Sequence, residues 1–246
     1  MRVVAILIAL LLSACVTDGP QRSEDYDPVE ASRINTQLGV NYMRKGYDAL
    51  AQEKLERAIE QDDRNGMAYA ALAFLNSRIG EVAQADRYYK RALSLDGENP
   101  DIQNNYGSYL CGQQRREEGE KLLLKAAQNP RFASPAAAWA NAGVCVRNLA
   151  PQRAERYLRE ALRLNPEFPD ALAQMAWLHY DRGDFLKSRA FLQRFEVVGK
   201  HLPETLWLAA QTERRLGDVD AARRYAIALR TQYTESEEAY DLGQNR

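Results

Sequence analysis

The sequence predicts an all-α superhelical solenoid of six stacked helical hairpins, and three observations carry that prediction. Residues recur at a step of 34 along most of the chain. The recurring positions pair small with large apolar side chains at helical spacing, and glycine or proline falls where one helix should stop and the next begin. A unit of this length is one helical hairpin, which buries its apolar face only by stacking on a neighbour.

The elements follow from the register. Gly46 recurs at Gly80, and Ala51 at Ala85 and Gly119. Leu55, Tyr89 and Leu123 keep the same step, as do Ala58, Ala92 and Ala126. Leu38-Gly39 is answered by Leu72-Ala73 and Tyr106-Gly107. Further on, Pro169 repeats at Pro203, Gly183 at Gly217, and Ala154 at Ser188 and Ala222. Six units result, spanning about 32–65, 66–99, 100–135, 136–168, 169–202 and 203–231. In each, a helix A and a helix B meet at a short turn. The small residues Gly39, Ala73, Gly107, Gly143, Ala176 and Ala210 let B approach A closely. Leu38, Leu72, Tyr106 and Met175, with Leu55, Tyr89, Leu123, Leu158 and Leu192, fill the layers between helices. Pro100, Pro166, Pro169 and Pro203 stop one helix or open the next.

Period and residue types resemble the tetratricopeptide repeat, which implies a curved stack with its inner wall built by the A helices. One junction departs from strict spacing. Gly107 to Gly143 is 36 residues, and the extra chain lies at Asn129–Pro135, so the stack is expected to be disturbed between units three and four. Residues 232–246 read as a polar tail able to form a short capping turn.

The first residues are a separate object. Met1-Arg2 precedes an unbroken apolar run, Val3–Leu12, in the order of a secretory signal and too short to span a bilayer. It ends in Leu12-Ser13-Ala14-Cys15, which resembles a lipobox. The resemblance implies cleavage after residue 14 and lipidation of Cys15; Val16, rather than aspartate, suggests the outer membrane. Residues 15–31 read as a lipidated cysteine and flexible tether, broken by Gly19, Pro20 and Pro28, with a reach of roughly 20 Å. The repeat body would then face the periplasm.

Charge is balanced, 33 basic against 34 acidic residues, which argues against nucleic acid as a partner. No zinc-site spacing, phosphate loop or nucleophile elbow appears, so no metal, cofactor or small-molecule substrate is expected, and an enzyme is disfavoured. His179 falls on a core-facing position with a satisfied ring expected, and His201 in the loop before Pro203. Cys111 and Cys145 lie on the A helices of consecutive units. In an oxidising compartment they could bridge, and the alternative is two buried free thiols.

The register also indicates which side chains face the inner wall. In units one and two these include Thr36, Val40, Met43, Met67, Ala70 and Phe74. Val40, Met43, Met67 and Phe74 are large and apolar where polar residues would be the default, which marks either a partner site or a surface covered by the amino-terminal segment. Asn104, Asn105 and Asn141 come next along the wall, able to hold the main chain of an extended peptide or simply to be solvated. Trp177 and Tyr180 of unit five, with Trp207 of unit six, either anchor a peptide or pack on the next A helix.

Asn104-Asn105-Tyr106-Gly107 through Leu110-Cys111, then Asn141-Ala142-Gly143-Val144-Cys145, are similar to the type IV pilus biogenesis/stability lipoproteins, the PilW/PilF-type pilotins. Ala154–Arg159, Leu206-Trp207-Leu208 and Arg214–Asp218 extend the likeness over the mature chain. It implies a disulfide between Cys111 and Cys145 and lipid on Cys15. It further implies a non-enzymatic role assisting insertion and multimerisation of the pilus secretin at the outer membrane. Adaptors of outer-membrane barrel assembly or of peptidoglycan-remodelling enzymes share the anchor and repeats but do not account for the cysteine pair.

Overall fold

The computed structural model describes residues 27–244, and among these every regular element is a helix. The signal peptide, Cys15 and most of the tether lie outside the described residues. Twelve helices pair into six hairpins: α1 (Pro28–Arg44) with α2 (Asp48–Gln61), α3 (Gly66–Arg78) with α4 (Val82–Leu95), and α5 (Pro100–Gly112) with α6 (Arg116–Ala127). The series continues with α7 (Pro135–Val146) and α8 (Pro151–Leu164), α9 (Pro169–Asp181) and α10 (Phe185–Val198), and α11 (Pro203–Leu216) and α12 (Val219–Gln232). Each A helix packs on its own B helix and on the A helices before and after it. No described helix is long and apolar enough to cross a membrane.

Close approach explains the small residues. A Cβ on Gly39 would sit 2.5 Å from Leu55 Cγ, and one on Gly107 or Gly143 would sit 2.8 Å from Leu123 or Leu158 Cγ. Those leucines are fully buried, each worth about 1.5–3 kcal/mol of transfer free energy. The A–B turns pass through the left-handed region at Gly46, Gly80, Gly183 and Gly217. Unit three makes the same turn with Gln114 at φ 63°, a conformation that costs a side-chain-bearing residue what glycine avoids.

Three expectations need correction, and a fourth is met in a different form. Pro28 does not break structure; it is the first residue of α1, where its missing N–H is harmless, and Asp27 caps Val29 and Glu30 N–H. Leu38 does not fill a layer: it is 40% exposed, because its counterparts Leu72, Tyr106 and Met175 bury against the preceding unit and unit one has none among the described residues. The long linker does not part units three and four. α5 still packs on α7, and Phe132 fills the added space against Ala126, Ala127 and Ala138. The carboxy-terminal tail caps the stack as expected, but with a helix rather than a turn: α13 (Glu237–Gln244) lays Ala239 over Leu206, Ala210 and Leu229.

Candidate functional site: a groove along the A helices

The A helices line a run of connected hollows. At units one and two, Val40, Met43, Met67, Ala70 and Phe74 form an apolar hollow of about 470 Å³ with Arg44 and Arg78 on its rim. Phe74 and Asn105 lead into a second hollow lined by Asn104, Ser108 and Asn141, and Ser108 and Asn141 lead into a third beside Cys111 and Cys145. Asn141 and Val144 open into a fourth, under Trp177.

The predicted wall residues divide into floor and rim. Phe74 is 48% and Met67 38% exposed, so these two offer apolar surface to a partner. Val40 is half-buried beside them. Met43 and Ala70 do not stand free as expected. Both are buried, Met43 against Leu55, Leu72 and Leu75, Ala70 against Tyr89 and Tyr106, and they form the floor. Thr36 is buried too, donating to Ser32 O and accepting from Asn65. The asparagines are linked: Asn141 donates to Asn104 Oδ1 at 3.0 Å, and Asn104 donates to Asn105 Oδ1 at 3.3 Å. This rail crosses the junction between units three and four.

The aromatics of units five and six are used internally. Trp177 stacks on Trp207 at 5.7 Å, Tyr180 meets both rings edge-on, and Arg147 lies over Trp177. Trp177 still contributes one wall of the fourth hollow.

Beside the rail, Cys111 and Cys145 are joined in a disulfide, Cα–Cα 5.2 Å, tying α5 to α7. In the repeat register Cys111 stands where unit one has Met43, and Cys145 where unit two has Leu75. Met43 and Leu75 belong to one apolar cluster, so the covalent link replaces an ordinary core contact. Gly119 is its companion. Units one, two and four have alanine there, but a Cβ on Gly119 would fall 2.4 Å from Cys111 Sγ and 2.7 Å from Gly107 O. In the sequence Gly119 stands only as a repeat match; a glycine soon after a cysteine, where neighbouring units have alanine, is the signal that marks it.

Arginine–carboxylate pairs stitch the junctions on other faces. Asp86 accepts from Arg115, Glu120 faces Arg153 at 3.2 Å, and Glu155 accepts from Arg182 and Arg159. Arg182 first, then Arg159, pull the Glu155 carboxyl down to about 2. At the last junction the polarity reverses, with Arg189 of α10 gripping buried Glu213 of α11. His179 is buried as expected, yet its ring is only half satisfied: Nδ1 lies 3.4 Å from Asp184 Oδ2 and Nε2 has no partner. Burial pushes its pKa below the ordinary value, against the pull of Asp184. His201 lies 3.2 Å from Thr205 Oγ1. No cluster of three or more metal-ligating side chains occurs among the described residues.

The tetratricopeptide-repeat family matches residues 68–99 and 150–195. The type IV pilus assembly protein PilF of Pseudomonas aeruginosa is 32% identical over 233 residues, 94% of this chain and 92% of that protein. This chain belongs to the PilF family. The solved structure of P. aeruginosa PilF matches with a TM-score of 0.75 at 29% identity, over 90% of this chain and 100% of that one. PilW, a widely conserved type IV pilus biogenesis factor, matches at 0.76 and 28% identity, over 86% and 97%. Membership makes the protein a tetratricopeptide-repeat protein of type IV pilus biogenesis.

Proposed function

We propose that the protein is a non-enzymatic pilotin, anchored in the outer membrane through lipid on Cys15, that holds a segment of the pilus secretin in its A-helix groove. The observation that carries this reading is the open apolar hollow at Phe74 and Met67, in a chain of the PilF family. Exposed apolar surface on a rigid concave wall suits capture of a protein segment, and a large side chain seated there gains about 1.5–3 kcal/mol. The lipid confines the groove to the membrane surface, so captured subunits meet at raised local concentration and multimerise without any chemistry on the pilotin's part. The asparagine rail offers amide donors and acceptors to the captured main chain.

The test is co-purification of the lipidated chain from detergent-solubilised membranes. Secretin should accompany the wild type and be lost with Phe74→Asp or Met67→Asp, both exposed enough to leave the fold intact. Barrel-assembly components or cell-wall hydrolases in its place would end the pilotin reading.

A further inference from the structure

With the groove taken as the partner site of the pilotin reading, on which this inference rests, its charge matters as much as its shape. Basic and acidic residues balance over the whole chain, 33 to 34. The three hollows that run from unit one to the Cys111–Cys145 junction do not share that balance: Arg44, Arg78 and Arg116 line them and no carboxylate does, whereas the fourth carries Asp170 and Glu204 beside Arg147 and Lys200. Arg78 is engaged, pairing with Asp48 and donating to Met43 O. Arg44 and Arg116 have no carboxylate partner among the described residues. Elsewhere some junction arginines are paired, as Arg115 with Asp86 and Glu118, Arg182 with Glu155, and Arg189 with Glu213, while others, such as Arg91 and Arg194, reach a backbone carbonyl. Their position beside apolar surface sets Arg44 and Arg116 apart. It gives the groove a positive potential that low-dielectric walls concentrate.

The spacing fits an extended occupant. Neighbouring A helices lie about 10 Å apart, so units one and three are separated by roughly 20 Å. That is about six residues of extended chain. We propose that the groove takes an extended acidic segment of its protein partner. One large apolar side chain seats beside Phe74, the main chain runs along Asn104, Asn105 and Asn141, and carboxylates to either side meet Arg44 and Arg116. Such pairing governs which segment is selected and how fast it is found, and salt screens it.

Secretin capture by the full lipidated chain in detergent decides the matter. Capture should fall at least about tenfold as salt rises from about 50 to about 500 mM. It should fall similarly with Arg44→Glu or Arg116→Glu, less with the glutamine variants, and least with Arg44→Lys. Thermal midpoints should stay near wild type, since neither arginine holds a carboxylate partner. Capture abolished by Phe74→Asp yet indifferent to salt and to both reversals overturns the acidic segment and leaves the groove standing. No capture of secretin by the wild type removes the pilotin reading and this inference together.

Discussion

The first and last junctions of the stack use the same five wall positions to opposite ends. Val40, Met43, Met67, Ala70 and Phe74 at units one and two correspond in register to Trp177, Tyr180, Glu204, Trp207 and Gln211 at units five and six. In the first set a small Ala70 forms the floor and leaves a hollow, with Phe74 at its edge. In the second, Trp207 stands at the Ala70 position and stacks on Trp177, with Tyr180 edge-on to both. One backbone architecture thus makes an open apolar hollow or an aromatic plug. Side-chain volume at a single wall position decides which, because stacked hairpins fix the space between A helices before the side chains fill it.

The largest expected effect comes from removing the plug. Trp207→Ala should lower stability by about 3 kcal/mol in urea unfolding, through lost ring contacts and a cavity. A loss under about 0.5 kcal/mol would mean that the aromatics are mere surface. Next is the disulfide junction, which neither end possesses. Gly119→Ala should cost about 2 kcal/mol, since its methyl collides with Cys111 Sγ. Much of that should be recovered when Cys111 and Cys145 are both serine, a coupling a double-mutant cycle reads directly. Equal cost with and without the bridge would place the strain at Gly107 O instead.

Exchanging residues between the ends sharpens the comparison further. Phe74→Gln should weaken secretin capture about tenfold, roughly 1.4 kcal/mol, with stability little changed. Gln211→Phe, in the same background, should restore nothing, because Trp207 fills the space that Ala70 leaves open beside Phe74, and position 211 does not line the fourth hollow. The smallest effect is electrostatic. The Glu155 carboxyl is held near 2 by Arg182 and Arg159, below its ordinary 4.5, so its contribution is present above about 4.5 and is lost as pH falls toward 2. Because solvent reaches the arginines, the cluster should be worth under about 1 kcal/mol, and Glu155→Gln should flatten the stability–pH curve only within that window.

Much of this architecture is legible in the sequence because a repeat states its own register. Gly39, Ala73 and Gly107 announce close helix approach wherever they recur, and the glycine turns declare themselves. Position within the stack is harder to see. Leu38 has the right residue for a core layer and, among the described residues, no preceding unit to bury it. Gln114 takes a glycine's conformation with nothing local to mark it. The register puts Met43 and Ala70 on the correct wall, yet a wall has depth, and only packing separates floor from rim. Trp177 shows that an aromatic on a groove position is committed by what lies opposite, here Trp207 in the next unit.

Photocrosslinking in living cells tests the central claim most directly. A crosslinkable side chain at position 74 and, separately, one at the equivalent position 211 would be activated in the native envelope. Adducts with the secretin from position 74 and none from 211 are predicted. Equal adducts from both positions, or none with secretin from position 74, would contradict the distinction between an open receptor and a closed plug.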